Sequence, residues 1–220
     1  MDGWLNIDKP LTFSSAKVVA IVKKTLGAKK VGHGGTLDPL ATGVLPICIG
    51  LATKETSKIM DWNKEYLFNI KFGETKTTAD NEGIVLEKDD FIPAEEAILN
   101  AIPKFIGKIK QVPPIFSAIK VNGKRAYQLA VDGKPVELKA RDIVVHSLEF
   151  KGWKGNGEAQ FLVKCGKGFY VRSFGVDFAK EIGALGHISC LHRVAVGKFD
   201  ANNMTKISEV KKGMELLNIF

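Results

Sequence analysis

A glycine-dense segment near the N-terminus carries the sequence's densest concentration of chemically useful residues. The segment reads Val31-Gly32-His33-Gly34-Gly35-Thr36-Leu37-Asp38-Pro39-Leu40-Ala41-Thr42-Gly43. Glycines allow a bulky ligand to approach the backbone closely, and Pro39 biases Asp38 toward extended backbone. The pattern predicts a carboxylate on a stiff loop, although an Asp here could also cap a turn. The Gly and Lys spacing of a P-loop is absent, so nucleoside triphosphate binding is not indicated.

A positioned aspartate can act as a nucleophile, as a general base or as an electrostatic stabiliser of a developing cation. All three roles matter at a sugar anomeric carbon, where cleavage of a glycosidic bond builds oxocarbenium character. A second carboxylate at a similar site would indicate hydrolysis, and no such partner for Asp38 stands out in the sequence.

A second constellation lies in the segment Gly166–Phe174. Strand alternation over this segment puts Tyr170 and Arg172 on one face. An arginine among bulky apolar residues is costly to bury without a partner, so Arg172 predicts an acidic partner, for which Asp38 is a candidate. The alternative is an edge-strand arginine in water.

For several other side chains a purely structural role is an alternative to a functional one. Tyr66 begins an alternating segment and could be a core or rim aromatic, and His33 could be a surface histidine. His187, Cys190 and His192 lie close in sequence, but their spacing matches no common zinc pattern.

The elements that must position these residues follow from periodicity and turn signals. A helix is predicted after Ser14 and Ser15, ending at Gly27, and a strand from Tyr66 to Gly73. Further predictions are strands at Gly83–Leu86, Ile143–Val145, Gln160–Cys165 and Phe169–Phe174, helices at Pro93–Phe105 and Asp177–Ile182, and hairpin-like turns at Gly155-Asn156-Gly157 and Gly166-Lys167-Gly168. The turn-rich stretch Gln111–Arg141 looks like an excursion from the core. The irregular order predicts an α+β fold with a mixed, largely antiparallel central sheet flanked by helices.

Composition indicates a folded protein with an excess of positive charge. The 220 residues are 45% hydrophobic and carry a net charge of +8, which makes a polyanionic partner plausible. Lysine supplies most of this charge, because only four arginines occur: Arg125, Arg141, Arg172 and Arg193. Three scattered cysteines without a Cys-x-x-Cys pair, and no leader or membrane-spanning run, favour a cytoplasmic protein without a membrane partner.

In the segments around Asp38, Tyr66, Tyr170 and Arg172, the sequence resembles the bacterial tRNA pseudouridine-55 synthase family, TruB. The similarity extends from about Trp4 to Phe199 in five ordered blocks. These blocks are Gly32–Gly43, Lys64–Asp80, Gln111–Lys120, Cys165–Ser173 and Leu191–Arg193. The resemblance implies the pseudouridine synthase fold with an RNA-binding insertion at about 111–141.

The resemblance also implies isomerisation of a uridine to pseudouridine at position 55 in the T-loop of tRNA, without metal, cofactor or ATP and without an obligate protein partner. By position, Asp38 is similar to the family's nucleophilic aspartate, and Arg172 to the arginine that pairs with it. Tyr66 resembles the aromatic that stacks on the target base, and Tyr170 the tyrosine proposed to assist removal of the C5 proton. The remaining resemblances to residues near the site are His33, Leu191 and Lys9.

The sequence departs from the family pattern at several positions. Gly34 stands where the family usually has Thr, Phe116 replaces a common Tyr, and Val131 replaces a frequent Arg. Gly166 and Phe169 sit at positions that are often Ser and Thr. These departures concern RNA affinity and loop geometry more than the chemistry.

The predicted organisation is a catalytic domain over residues 1–200 and a tail over 201–220, without a complete PUA-like RNA-binding domain. Two other hypotheses stay open at this point. One is a tRNA-binding folding factor in which catalysis is weak or dispensable, and the other is an unrelated lysine-rich α+β protein whose motifs match by chance.

Overall fold

The computed structural model describes residues 1–117, 119–121, 123–133 and 135–219. The chain forms two compact units: unit 1 comprises Met1–Leu67 and Cys190–Phe220, and unit 2 comprises Phe68–Ser189. The tail predicted over 201–220 therefore belongs to the same unit as the N-terminal segment.

The strands in chain order are β1 (Gly3–Lys9), β2 (Val31–His33), β3 (Ala41–Ile49), β4 (Lys64–Phe72), β5 (Glu74–Lys76), β6 (Val85–Lys88), β7 (Gly107–Gln111), β8 (Lys120–Val121), β9 (Lys124–Arg125), β10 (Arg141–Gly155), β11 (Glu158–Cys165), β12 (Gly186–Val196), β13 (Phe199–Asp200) and β14 (Thr205–Lys206). The α-helices are α1 (Ser15–Leu26), α2 (Thr56–Asp61), α3 (Glu95–Ala101), α4 (Ala126–Val131) and α5 (Val171–Glu181). Short 3-10 turns occupy Gly50–Glu55, Ile102–Phe105, Ala201–Asn203 and Ile207–Glu209.

In unit 1 the strand β3 is the organising element. It pairs antiparallel with β1 and with β2, and parallel with the end of β12. On the far side, β1 pairs parallel with β14. Eight of the nine residues of β3 are buried, as expected for a strand that is covered on both faces.

Helix α1 forms where its start and stop signals predict it. The Ser14 hydroxyl accepts a hydrogen bond from the Lys17 amide at 3.1 Å, which satisfies one otherwise orphaned donor at the helix start. The helix ends because Gly27 adopts φ +66°, a left-handed conformation that residues with a Cβ disfavour. Val18, Val22 and Leu26 of the predicted apolar stripe are buried, while Val19 is half-buried and Ala16 is exposed. The predicted helix is confirmed.

In unit 2 the strand β10 pairs antiparallel with both β7 and β11. The hairpin between β10 and β11 turns at Asn156, which has φ +52°, where the sequence predicts a turn. The predicted strand from Tyr66 to Gly73 and the predicted helix from Pro93 to Phe105 are also present, as β4 and as α3 followed by a 3-10 turn.

The core of unit 2 is built from aromatic rings. Phe161 on β11 stacks on Phe68 of β4 with ring centroids 5.6 Å apart, and it meets Phe178 of α5 edge-on at 5.2 Å. Phe174 of α5 contacts Phe68 at 5.6 Å. All four rings are fully buried, so they hold helix α5 against the strands.

The strand predicted at Phe169–Phe174 is wrong, and so is the hairpin predicted at Gly166-Lys167-Gly168. The turn at Gly168, with φ +80°, leads instead into helix α5, which begins at Val171. Phe174 and Phe178 recur four residues apart on its buried face, a helical period that the alternating prediction overlooked. Tyr170 is the residue before the helix and Arg172 lies in its first turn, so the two do not share a strand face.

The predicted excursion Gln111–Arg141 contains the small β8–β9 ladder and helix α4. Ala118, Asn122 and Lys134 of this segment lie outside the described residues. Both units combine mostly antiparallel strands with helices, which confirms the α+β class. None of the helices in the described part of the chain has the length and apolar character needed to cross a bilayer.

We expect Phe161→Ala to lower the free energy of unfolding by about 3–5 kcal/mol, because it removes a buried ring and leaves a cavity among three others. Denaturant unfolding followed by circular dichroism would measure the change. Leu86→Ala on exposed β6 is the matched control and should stay within about 0.5 kcal/mol of the unmodified protein. Equal effects of the two substitutions would contradict this account of the core.

Candidate active site

Asp38 lies in unit 1 on the loop that joins β2 to β3. The loop begins where the Gly34 amide donates to the Pro46 carbonyl at 2.8 Å, and it closes where the Asp38 carbonyl accepts from the Ala41 amide at 3.0 Å. A Cβ on Gly34 would lie 2.6 Å from Ile59 Cγ2, closer than real Cβ atoms come. Glycine at this position therefore lets the loop pack on α2, and a residue with a Cβ would not fit this packing unchanged.

Four hydrogen bonds from the N-terminal segment pin the residues on either side of Asp38. The Ser15 hydroxyl accepts from the Leu37 amide at 2.9 Å and donates to the Leu37 carbonyl at 3.0 Å. The Pro39 carbonyl accepts from the Thr12 amide at 2.8 Å and from Lys9 Nζ at 3.2 Å. The carboxylate is thus carried on a stiff loop, as the sequence predicts.

The Lys9 side chain is fully buried beneath this loop. Its ammonium also donates to the carbonyls of Phe13 at 2.6 Å and Pro10 at 3.0 Å. Burial lowers the pKa of Lys9 to about 8, while the negative charge of Asp38 opposes that shift. The ammonium form therefore prevails at neutral pH, where it can hold the loop.

Arg193 is buried on the other side of the loop, where it binds three carbonyls. Its Nε donates to Val44 O at 2.8 Å, its Nη2 to Gly35 O at 3.0 Å and its Nη1 to Thr36 O at 3.4 Å. Strand pairing fixes this position, because parallel register sets Arg193 of β12 opposite Gly43 of β3. A Cβ on Gly43 would lie 2.4 Å from the Arg193 carbonyl, so only glycine permits this approach.

The same guanidinium contacts two of the predicted site residues. It forms a hydrogen bond with the Tyr66 side chain, and it interacts electrostatically with Asp38. Burial lowers the pKa of Arg193, and both Tyr66 and Asp38 oppose that shift. An arginine stays protonated in proteins, so a fixed positive charge attracts the Asp38 carboxylate.

His33 and Leu191 belong to the same unit. His33 ends β2, and its Nδ1 is buried without a hydrogen-bond partner within the described residues. Burial, and then the charge of Arg193, lowers the pKa of His33, so the imidazole is neutral at pH 7. Leu191 stands on β12 opposite Ala41 and is half-buried.

Tyr170 and Arg172 lie in unit 2. The Tyr170 backbone is clamped by the buried Gln111 side chain, which accepts from the Tyr170 amide at 2.8 Å and donates to its carbonyl at 3.0 Å. The buried Arg172 guanidinium donates to Phe116 O at 2.8 Å and to Thr78 O at 3.1 Å.

Arg172 has an acidic partner within its own unit, Asp80. Arg172 Nε lies 3.6 Å from Asp80 Oδ2, and both side chains are buried. Asp80 Oδ1 in turn accepts from the Glu82 amide at 3.0 Å. The pairing of Arg172 with Asp38 joins residues of different units and stays a prediction.

The sequence reasoning missed two charged residues of these sites, Arg193 and Asp80. Arg193 carried a signal, since it is one of only four arginines and is followed by the apolar run Val194-Ala195-Val196. Such a residue is costly to bury unless it is bound on several sides. Asp80 carried no comparable signal, because a polar turn of Asp, Asn and Glu is typical of exposed loops.

Comparison with known proteins finds similar sequences over most of the chain. Residues 23–171 match the model of the TruB family pseudouridylate synthase N-terminal domain. The chain is 49% identical over 212 residues to tRNA pseudouridine synthase B of Ehrlichia chaffeensis, covering 96% of this chain and 72% of that protein. The enzyme of the same name from Rhizobium etli is 44% identical over 210 residues, with 96% and 68% covered.

Solved structures show the same fold. A chain of a Cbf5-Nop10-Gar1 complex superposes with a TM-score of 0.73 at 29% identity, covering 94% of this chain and 52% of that one. A chain of an H/ACA RNP bound to a substrate RNA containing 2'-deoxyuridine gives 0.70 at 26% identity, with 94% and 51% covered. This chain thus spans about half the length of those solved chains. Given the match over residues 23–171 and the 49% identity over 72% of the Ehrlichia chaffeensis enzyme, the chain belongs to the TruB family of pseudouridylate synthases.

Proposed function

We propose that this protein converts a uridine of tRNA into pseudouridine. The observation that carries the proposal is Asp38 on a pinned loop whose carbonyls bind the buried Arg193 guanidinium, with which the carboxylate interacts electrostatically. The names of the relatives support tRNA as the substrate class. The finer assignment, to position 55 in the T-loop, is part of the proposal and follows from the resemblance of the motifs.

The reaction is an isomerisation whose atoms balance within the nucleotide. The N1–C1′ bond breaks, the uracil turns, a C5–C1′ bond forms, the C5 proton leaves and N1 gains a proton. Asp38 is the group that acts on the glycosidic bond. Attack on the ribose C1′, attack on the uracil ring and promotion of an elimination all require a carboxylate at this place.

The target uridine must leave its stack to reach Asp38, which costs roughly a few kcal/mol. Stacking on an aromatic ring and contacts to phosphates offset this cost. We assign the stacking role to Tyr66, whose hydroxyl is held by Arg193. A freed base must be retained and kept from water, and apolar side chains such as Leu191 suit that task.

The remaining assignments rest on the resemblance. Tyr170 is proposed to assist removal of the C5 proton, and Arg172 to support the carboxylate of the site. His33 is proposed to contact the RNA, and Lys9 to hold the loop that carries Asp38. The segment 111–141 is proposed to contact RNA, and the protein is proposed to act in the cytoplasm without an obligate protein partner.

We expect Asp38→Asn to lower pseudouridine formation by about a thousandfold or more, because an amide can neither attack carbon nor accept the proton. Unmodified tRNA would be incubated with the purified chain, and pseudouridine would be quantified by chemical derivatisation and primer extension. Asp200→Asn is a matched control on a distant acid. If Asp38→Asn keeps the unmodified rate, the role assigned to Asp38 is wrong. If the unmodified protein binds tRNA and forms no pseudouridine, the protein is a tRNA-binding folding factor and the enzymatic proposal fails.

We expect Arg193→Lys to lower the free energy of unfolding by about 1–3 kcal/mol, because a single ammonium leaves buried carbonyls of the loop unpaired. The rate at saturating tRNA should fall with it, since Asp38 and Tyr66 lose a shared contact. Thermal unfolding and single-turnover kinetics measure the two effects. Exposed Arg141→Lys is the control, and an Arg193→Lys protein that is as stable and active as this control would contradict the assignment.

The lowered pKa of Lys9 predicts a pH dependence of stability. A lysine with a folded pKa of about 8 and an unfolded pKa of 10.5 binds fewer protons in the folded state between these values. The free energy of unfolding should therefore rise as pH increases from about 8 to 10.5. Denaturant titrations between pH 8 and 10.5 measure this rise in the unmodified protein, and it should be absent in Lys9→Met, which has no proton to lose at this position. Parallel curves would show that Lys9 is not desolvated.

A further inference from the structure

A run of lysines in unit 1 has no acidic counterpart. Between Asp8 and Asp38 the chain has six lysines and neither Asp nor Glu. Lys9 is buried under the Asp38 loop, and the other five are exposed: Lys17, Lys23, Lys24, Lys29 and Lys30. The segment that leads to the catalytic loop therefore presents only positive charge to solvent.

A second segment adds to this charge at the end of α1. Lys211 and Lys212 are exposed, and a Cβ on Gly27 would lie 3.9 Å from Lys212 Cε. We call the six exposed lysines around this end of the helix the lysine patch: Lys23, Lys24, Lys29, Lys30, Lys211 and Lys212. Within the described residues no member of the patch forms an ion pair. Acids near it include Glu209, whose carboxylate accepts from the Lys206 amide, and the exposed Glu215. Asp2 is a third: its carboxylate accepts from the Leu51 amide, next to Gly50, whose own amide donates to the Lys30 carbonyl.

Helix stability explains only part of this patch. Lys23 and Lys24 lie in the last turn of α1, where positive charge complements the helix dipole. The other four lysines lie beyond the helix, so the dipole does not account for their accumulation. Unpaired like charges repel one another, and a polyanion relieves that repulsion.

The patch has a fixed relation to Asp38. Helix α1 begins at Ser15, whose hydroxyl holds Leu37 next to Asp38. The 12 residues of the helix span about 18 Å at 1.5 Å per residue. Lys17, held over the Phe13 ring at 3.8 Å, stands at the near end of this helix. The patch thus lies about one helix length from the loop that carries the catalytic carboxylate.

We propose that the lysine patch binds the phosphate backbone of the RNA stem that flanks the target uridine. This rests on the proposed function, because the uridine at Asp38 sets where the RNA begins. If the spacing of about 3.4 Å between phosphates along one strand of a DNA duplex is taken as the scale, 18 Å corresponds to roughly five nucleotides. A stem of five or more base pairs reaches the patch, and a shorter stem does not.

The test compares two stem-loop RNAs that share one loop, with stems of three and ten base pairs. Binding by fluorescence anisotropy over a range of KCl concentrations would use the unmodified protein and the variant Lys23→Gln, Lys24→Gln, Lys211→Gln, Lys212→Gln. The matched control removes the same charge elsewhere, by Lys54→Gln, Lys88→Gln, Lys151→Gln and Lys154→Gln. All eight positions are exposed, so both variants should fold.

On the long stem, the slope of log K against log salt should be smaller in magnitude by about 3 for the patch variant, because four phosphate contacts are lost at roughly 0.7–0.9 each. Its slope on the short stem, and both slopes of the control, should match the unmodified protein. A patch variant that binds the long stem like the control overturns the proposal. The proposal is also overturned if the patch variant loses the same amount of salt slope on both stems. It is likewise overturned if the variant binds both RNAs normally and loses binding only to anionic phosphatidylserine vesicles.

Pseudouridine formation separates this proposal from the proposed function. The patch variant should keep the unmodified single-turnover rate at saturating RNA, because the patch is remote from Asp38. If the unmodified protein binds the long stem with the steeper slope and makes no pseudouridine, the proposed function fails and the patch stands. A patch variant that is inactive at saturating RNA would contradict a role in binding alone.

Discussion

The site of unit 1 depends on how one buried guanidinium is satisfied. A charge removed from water is costly unless hydrogen bonds and opposite charges surround it. Arg193 meets this requirement with carbonyls of Gly35, Thr36 and Val44, with the Tyr66 side chain and with the charge of Asp38. The loop, the strand β3 and the aromatic residue are therefore fixed by the same side chain that balances the carboxylate.

On the opposite side of the loop, a neutral hydroxyl and a buried ammonium also hold the backbone in place. The Ser15 hydroxyl and the Lys9 ammonium bind the backbone on either side of Asp38, so the carboxylate cannot move without breaking bonds to α1 and β1. A reaction that changes the charge at a sugar carbon benefits from such prior arrangement, because the protein need not reorganise as charge develops. Unit 2 applies the same principle to Arg172, which is held by two carbonyls and by Asp80.

Local sequence signals gave correct predictions where a single residue or a simple alternation determines the backbone conformation. Ser14 and Gly27 bound α1 because capping and left-handed backbone are properties of single residues. Alternation found β4, whose inward side chains are buried. The strand predicted at Phe169–Phe174 is wrong because Phe174 and Phe178 fit a helical period that continues past the predicted end of the strand. Only packing of those rings on Phe68 and Phe161 selects the helix.

The sequence by itself determined the α+β class, the glycine-rich loop around Asp38, the family and the residue types available for chemistry, because motif spacing and periodicity are local. Tertiary structure alone decided which charged groups meet. Arg193 reaches the loop through the parallel register of β12 on β3, and Arg172 finds Asp80 across ninety-two positions of sequence. Such pairings depend on strand order and helix packing, which no local pattern records, because the free energy of burying a charge is set by every group that surrounds it in the folded chain.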